Sequence, residues 1–288
     1  MTKNILVFCS ILLLVLSVSL GLAGCGRGSA VSAQEIASNA ISNSAEVTTV
    51  KFDTSMSMDL EVTGGSDPGK MTMSGDAVGS MDLADMEMQM SINADMAFPG
   101  SDGDMHVEQD MYYTGGWLYM RMSLPGEGDQ WGKQQISEDV WMSDNPLDQQ
   151  LAFLETAFEV TNLGTEKVDG VNCYIIKVTP DMDALSNWLQ SQQQNTGLDI
   201  GSMDLSKILK SYSVKEWISK DAYLPIKVDI NASLEITPQD MGETPESANM
   251  DKMTMNVGEQ VKYYDYGKPV TIQLPPEAQN AEEMPSGY

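Results

Sequence analysis

From Phe52 onward, apolar side chains fall on alternate residues: Phe52, Met56, Met58, Leu60 and Val62. Gly64-Gly65-Ser66-Asp67-Pro68-Gly69 reads as a turn, after which Met71, Met73, Ala77, Met81 and Leu83 repeat the pattern. A third run carries Met86, Met88, Met90, Ile92, Ala94 and Met96, separated by Glu87, Gln89, Ser91, Asn93 and Asp95. A fourth carries Met105, Val107, Met111 and Tyr113, and Thr114-Gly115-Gly116 turns it into Trp117-Leu118-Tyr119-Met120-Arg121-Met122. Such alternation is the signature of half-buried antiparallel strands, with one face in a core and the other in water. Gly-rich loops without helices join these strands, which predicts a meander and excludes βαβ units.

Helical spacing appears around and between the strand runs. Ser32 and Glu35 stand three apart, as a capping box requires, and predict a helix over Gln34–Ser44 that buries Ile36, Ala40 and Ile41. Asn145 and Pro146 open a second helical pattern, with Leu147, Leu151, Leu154 and Phe158 on one face. Asp181 caps a third through Gln193, with Met182, Leu185, Trp188 and Leu189 on its apolar side, and Met203–Lys210 reads as one more short helix. Strand character occupies Val168–Thr179 about a turn at Asp169-Gly170, and then Tyr212–Ser219. Lys220-Asp221-Ala222 leads into Leu224, Ile226, Val228, Ile230, Ala232, Leu234 and Ile236, where Pro225 predicts an edge or a bulge. Pro238–Asn249 reads as a loop. Met253, Met255 and Val257, then Val261–Tyr266, form the last strand, and the tail from Leu274 reads as extended. No break in composition divides the chain, so one domain is expected over 34–288.

The N-terminus has a different character. Lys3 precedes an apolar run from Ile5 to Leu16, and the tract closes on Leu22-Ala23-Gly24-Cys25. A charged start, an apolar middle and small residues at the end mark an export signal over residues 1–24. The closing four residues resemble the lipobox of bacterial lipoproteins, which implies a diacylglyceryl group on the Cys25 thiol. An uncleaved spanning helix is the alternative, since the apolar tract is nearly long enough. Two acyl chains hold a chain stably on a membrane. Residues 25–33 then supply the anchor and a flexible spacer, Gly26-Arg27-Gly28-Ser29-Ala30, on the extracytoplasmic face.

Composition narrows the partners. With 16 basic and 42 acidic residues the formal net charge is −26, which opposes nucleic acid and anionic headgroups. The cysteines are Cys9, Cys25 and Cys173. Once Cys9 leaves with the leader and Cys25 is acylated, Cys173 has no partner for a disulfide, and its apolar surroundings suit a small hydrophobe. The single histidine, His106, lies on the polar phase of its strand. No nucleophile elbow, phosphate loop, zinc motif or Cys-x-x-Cys is present, so no enzymatic activity and no cofactor are expected. Asp102-Gly103-Asp104 lacks the rest of a calcium loop and reads as a hairpin turn.

The layout as a whole is similar to a known superfamily. Trp217-Ile218-Ser219-Lys220-Asp221-Ala222-Tyr223-Leu224-Pro225 and Lys167-Val168-Asp169-Gly170-Val171-Asn172-Cys173-Tyr174, together with the lipobox and the Met-rich meander, resemble the LolA/LppX-like lipoproteins, in particular a Met-rich branch of unknown function. The resemblance implies an α+β fold: a curved antiparallel β-sheet, or half-barrel, with helices packed in its concave face. It also implies lipid or acyl-chain binding between sheet and helices.

Methionine is the strongest compositional feature, at 22 residues. Met-x-Met pairs such as Met56/Met58, Met88/Met90 and Met253/Met255 put two thioethers on one face of a strand. Thioethers suit Cu(I), but the pairs are spread over many strands and form no tight cluster, so no metal site is expected. Core packing and an adaptable apolar cavity predict the same periodicity. The cavity reading names Met56, Met58, Met88, Met90, Ile226 and Val228 as ligand-facing candidates. The functional expectation is a monomeric, membrane-anchored binder or carrier of a hydrophobic ligand. The alternative is a non-catalytic surface module that recognises another protein through the same fold with a filled core.

Overall fold

The computed structural model describes residues 31–65, 68–99, 105–124, 128–137, 141, 159–179, 205–241 and 250–284. Its first element is a helix, α1 (Ala33–Ser44), and the Ser32 side chain accepts a 3.1 Å hydrogen bond from the Glu35 amide. This is half of the expected capping box, and it satisfies one of the amides that a helix start leaves open. The helix buries Ile36, Ala37 and Ala40.

Twelve strands follow: β1 (Thr49–Thr63), β2 (Gly69–Asp82), β3 (Glu87–Ala97), β4 (Met105–Thr114), β5 (Trp117–Leu124), β6 (Gly128–Gln135), β7 (Glu159–Val168), β8 (Val171–Thr179), β9 (Leu209–Ser219), β10 (Pro225–Ile236), β11 (Lys252–Tyr264) and β12 (Glu282–Glu283). A short helix, α2 (Leu205–Ile208), runs directly into β9. All twelve strands belong to one large, curved, unclosed sheet in the order β12-β6-β5-β4-β3-β2-β1-β11-β10-β9-β8-β7. Every pairing is antiparallel except β12 with β6. The two meanders, β1–β6 and β7–β11, meet where β1 pairs with β11, so the chain's first and last long strands lie side by side at mid-sheet. Two hairpins use two-residue loops with positive φ at both positions, Gly115-Gly116 and Asp169-Gly170, the geometry that matches the twist of antiparallel strands.

The register sets one face of the sheet. Met56 lies opposite Glu259 on β11 and Gly75 on β2, and Met58 lies opposite Val257 and Met73. Followed from strand to strand, these positions carry the apolar residues of every run. We call their side the inner face, because it holds the core and receives α1. The outer face is polar, with Ser55 bonded to Asp76 at 2.6 Å and Ser91 to Asp110 at 2.6 Å.

Several expectations need correction. Met86 is not a strand residue: it has φ 53° in the turn before β3. Strands β6, β7 and β12 carry little apolar alternation and were not anticipated. Strand β6 offers Gln130, Gly132 and Gln134 to the inner face and is held by its pairing to β5. Strand β7 is an exposed edge with a bulge at Asn162/Gly164. The tail is docked: Ala278 is fully buried, and Glu282 and Glu283 pair with Gly132 and Lys133. Pro225 sits at a bulge on a central strand, so of the two readings the edge fails. Of the helix over Met203–Lys210, Leu205–Ile208 is helical, while Leu209 and Lys210 are already in strand and Met203 lies outside the described residues. The helical patterns at 145–158 and 181–193, the Asp102-Gly103-Asp104 turn and the segment 1–30 lie outside the described residues. Among the described residues the molecule is mostly β, one large sheet with α1 against it.

Candidate functional site

The inner face divides into two buried clusters. The larger joins Ile36, Ala37 and Ala40 of α1 to Val50, Phe52 and Met56 of β1, Met88, Met90 and Ile92 of β3, and Val214, Val228 and Ile230 of β9 and β10. Trp141 also enters it, stacked on Tyr113 with ring centroids 4.3 Å apart and planes within 2°. The second cluster lies toward the other end of the strands. It consists of Met58, Met71, Met73, Met96, Val107 and Met255, with Leu60, Phe98 and Leu234 packed at its margin. Unbranched thioether side chains fill uneven space between strands and repack easily.

The sequence-named candidates therefore separate. Met56, Met88, Met90 and Val228 share the larger cluster, and Met58 belongs to the second. Ile226 is half-buried at the bulge between Pro225 and Lys227 and belongs to neither.

Periodicity did not point to the polar groups on this face. Among the described strand residues in inner positions, Glu216 and Glu259 are charged and sit among apolar neighbours, whereas Lys167 and Glu282 share that phase only on the exposed end strands β7 and β12. Glu259 is flanked by Met56 on β1 and Ile230 on β10. Glu216 is flanked by Val228 and Ile176 and is only 1% exposed. Burial holds the Glu259 carboxyl above its ordinary range, at about 7, because the charged form loses water there. Tyr212 and Tyr263 feel both carboxylates. Burial first, and then the negative charge of Glu259 and Glu216, pushes their phenols well up. Tyr266 is raised by burial and by Tyr263 and Glu216, and its hydroxyl donates to the Pro225 carbonyl at 2.6 Å. Two acids and three neutral phenols thus form a polar island inside an apolar face. The clue in the sequence was Glu259, which breaks the phase of Met253, Met255, Val257 and Val261.

The outer face carries two shallow recesses. One, of about 350 Å³, lies over Gly258 between Ser55, Ser57, Asp229 and Asn231. The other, of about 360 Å³, lies between Asp53, Asp76, Val78 and Lys262. Gly258 creates the first, since a Cβ there would stand 3.0 Å from the Ser57 hydroxyl. On the same side Arg121 reaches Asp110 at 2.6 Å and Asp129 at 3.1 Å. His106 is half-exposed with Nδ1 2.9 Å from Asp95. Cys173 is fully buried, and burial raises its thiol, so it is a packing group and not a nucleophile.

The solved structures similar to this chain at low identity include these three. LprF from Mycobacterium bovis aligns at 14% identity and a TM-score of 0.44, over 84% of this chain and 96% of that one. Mycobacterium tuberculosis lipoprotein LppX aligns at 12% and 0.41, over 84% and 98%. A LolA superfamily protein from Nitrosomonas europaea aligns at 13% and 0.23, over 86% and 97%. None of the curated proteins matches the chain in sequence. One family model spans α1 to β12, residues 32–283, and by that match the chain belongs to a family of unknown function, DUF6612.

Proposed function

We propose that this protein is a lipid-anchored, extracytoplasmic lipoprotein that binds or carries a hydrophobic ligand, a lipid or acyl chain, against the inner face of its sheet. Residues 1–24 act as the export signal, Cys25 takes the anchor, 25–33 form the tether and 34–288 one domain. The helical patterns at 145–158 and 181–193 then lie in the concavity and, with the sheet, bound the ligand space. Met56, Met58, Met88, Met90, Ile226 and Val228 are the proposed lining. The protein works as a monomer and catalyses nothing.

The observation that carries this reading is the inner face itself. It is apolar on strand after strand and rich in methionine, the side chain that best accepts ligands of variable shape. A second reading has its own support. Met58, Met73 and Met96 are only 2%, 5% and 3% exposed, as a filled core requires. That favours a protein-recognition module with no ligand space.

Native mass spectrometry of the purified chain, with solvent extraction beside it, separates the two. Bound lipid supports the carrier. A bare mass, unchanged after incubation with mixed lipids, supports the recognition module.

A further inference from the structure

We infer that the ligand is an amphiphile whose head group is a protonated primary amine, and that the Glu259 carboxylate on the inner face receives it. This rests on the carrier reading above and adds the chemistry of the head group.

The geometry narrows the choice. Glu259 points into the apolar face between Met56 and Ile230, and Glu216 lies one row away on β9. Among the described residues Glu259 makes no hydrogen bond or ion pair, although it is only half-buried and so remains reachable. Every described strand lysine and arginine engaged in an ion pair, Lys51, Lys70, Arg121, Lys227, Lys252 and Lys262 among them, holds its partner away from this face. A carboxylate brought into apolar surroundings is costly unless a cation meets it. A fatty acid would set a third carboxylate beside Glu259 and Glu216. A phospholipid would bring a phosphate to a carboxylate whose described neighbours on the face, Met56, Ile230, Val257 and Val261, carry no cation. A simple long-chain amine offers one positive charge, hydrogen-bond donors and an apolar tail, which suits the methionine-lined surface. Beyond Met56 the row continues through Gly75 and Ala94, so no large side chain follows it on the next two strands.

Other groups around Glu259 do not confuse its titration. Met56 and Ile230 flank it from β1 and β10, Tyr212 and Tyr263 face it from β9 and β11, and both phenols stay neutral through the physiological range. Among the described residues Glu216 is the other buried acid on the face, and it is common to all arms of the test below.

The full chain, held in a lipid-free amphipathic polymer, is offered dodecylamine, dodecanol and dodecanoic acid, and the retained molecules are weighed by native mass spectrometry. At about pH 8 dodecylamine is expected to bind at least about tenfold tighter than dodecanoic acid. E259Q removes that preference and keeps dodecanol. In the wild type, dodecylamine affinity rises roughly tenfold between about pH 6 and about pH 8, as Glu259 loses its proton while the amine keeps its own. Amine preference that survives in E259Q, or dodecanoic acid bound as well as the amine, overturns the head-group assignment and leaves the carrier reading standing. If E259Q binds none of the three, the wild-type pH profile decides, and a flat profile overturns the assignment. If the wild type binds none of them at any pH, the carrier reading falls and this inference with it.

Discussion

At the scale of single residues, Glu259 also governs stability. Its folded carboxyl titrates near 7, against 4.5 ordinarily. Between those values the folded chain holds a proton that the unfolded chain has lost. Stability therefore falls as pH rises through this window and levels off above it, by at most about 3 kcal/mol. Replacing Glu259 with Gln removes the dependence. Urea unfolding of both forms is expected to show near-equal stability at about pH 5 and a Gln variant roughly 1–3 kcal/mol more stable at about pH 8. Equal differences at both pH values would show that Glu259 is not held out of water. Gly79 is the second such position. A Cβ there would lie 2.3 Å from the Phe52 ring, which is itself 3% exposed and locked in the larger cluster. Gly79→Ala is expected to cost about 1–3 kcal/mol in the same measurement, since the ring cannot retreat without disturbing its neighbours. Neither effect was legible from alternation. Gly79 reads as a weak strand residue until Phe52 is seen across from it, and Glu259 reads as one polar letter in an apolar phase.

At the scale of elements, the sequence spoke clearly wherever one side of a strand was buried. Strands β1 to β4 and β10 match their apolar runs because most of their inner positions hold Met, Val, Ile, Leu, Ala or an aromatic. Strands β6, β7 and β12 could not be seen this way. They lie toward the two ends of the sheet, where the inner face has less to bury and backbone pairing decides the conformation. The N-terminal helix was visible because its cap is chemical: Ser32→Ala is expected to cost about 1 kcal/mol, read from the unfolding midpoint. The C-terminal segment shows what tertiary context adds. Met284 packs over Gly132, a Cβ at which would lie 2.9 Å from its side chain, and the Met284 amide donates to the Lys133 carbonyl at 2.8 Å. This segment covers part of the free edge of β6, and an open edge is a template for pairing with another chain. Ending the chain after Pro275 should uncover that edge. Light scattering is expected to show dimers or larger species where the full chain is monodisperse; a truncated chain that stays monomeric would mean the edge is protected by other means.

For the whole molecule, the arrangement of charge matches the proposed location and ligand. The outer face pairs its cations with acids, as in Lys51–Asp265 and Lys262–Asp169, and still leaves the chain at −26. Such a surface is repelled by anionic headgroups, so attraction to the bilayer cannot keep the protein there. On the proposed reading, attachment depends on the acyl chains at Cys25 and not on the fold. The described residues include no helix long and apolar enough to cross a membrane. Cys25→Ser is accordingly expected to move nearly all of the chain from the membrane fraction to the soluble fraction. Its circular dichroism and its affinity for dodecylamine should stay the same, because the sheet begins only at Thr49. Fractionation followed by immunoblotting reads the first effect and native mass spectrometry the second. A Cys25→Ser chain that remains in the membrane would mean the leader spans the bilayer uncleaved. One that is released but no longer binds would mean that ligand reaches the inner face only from the membrane to which the anchor holds it.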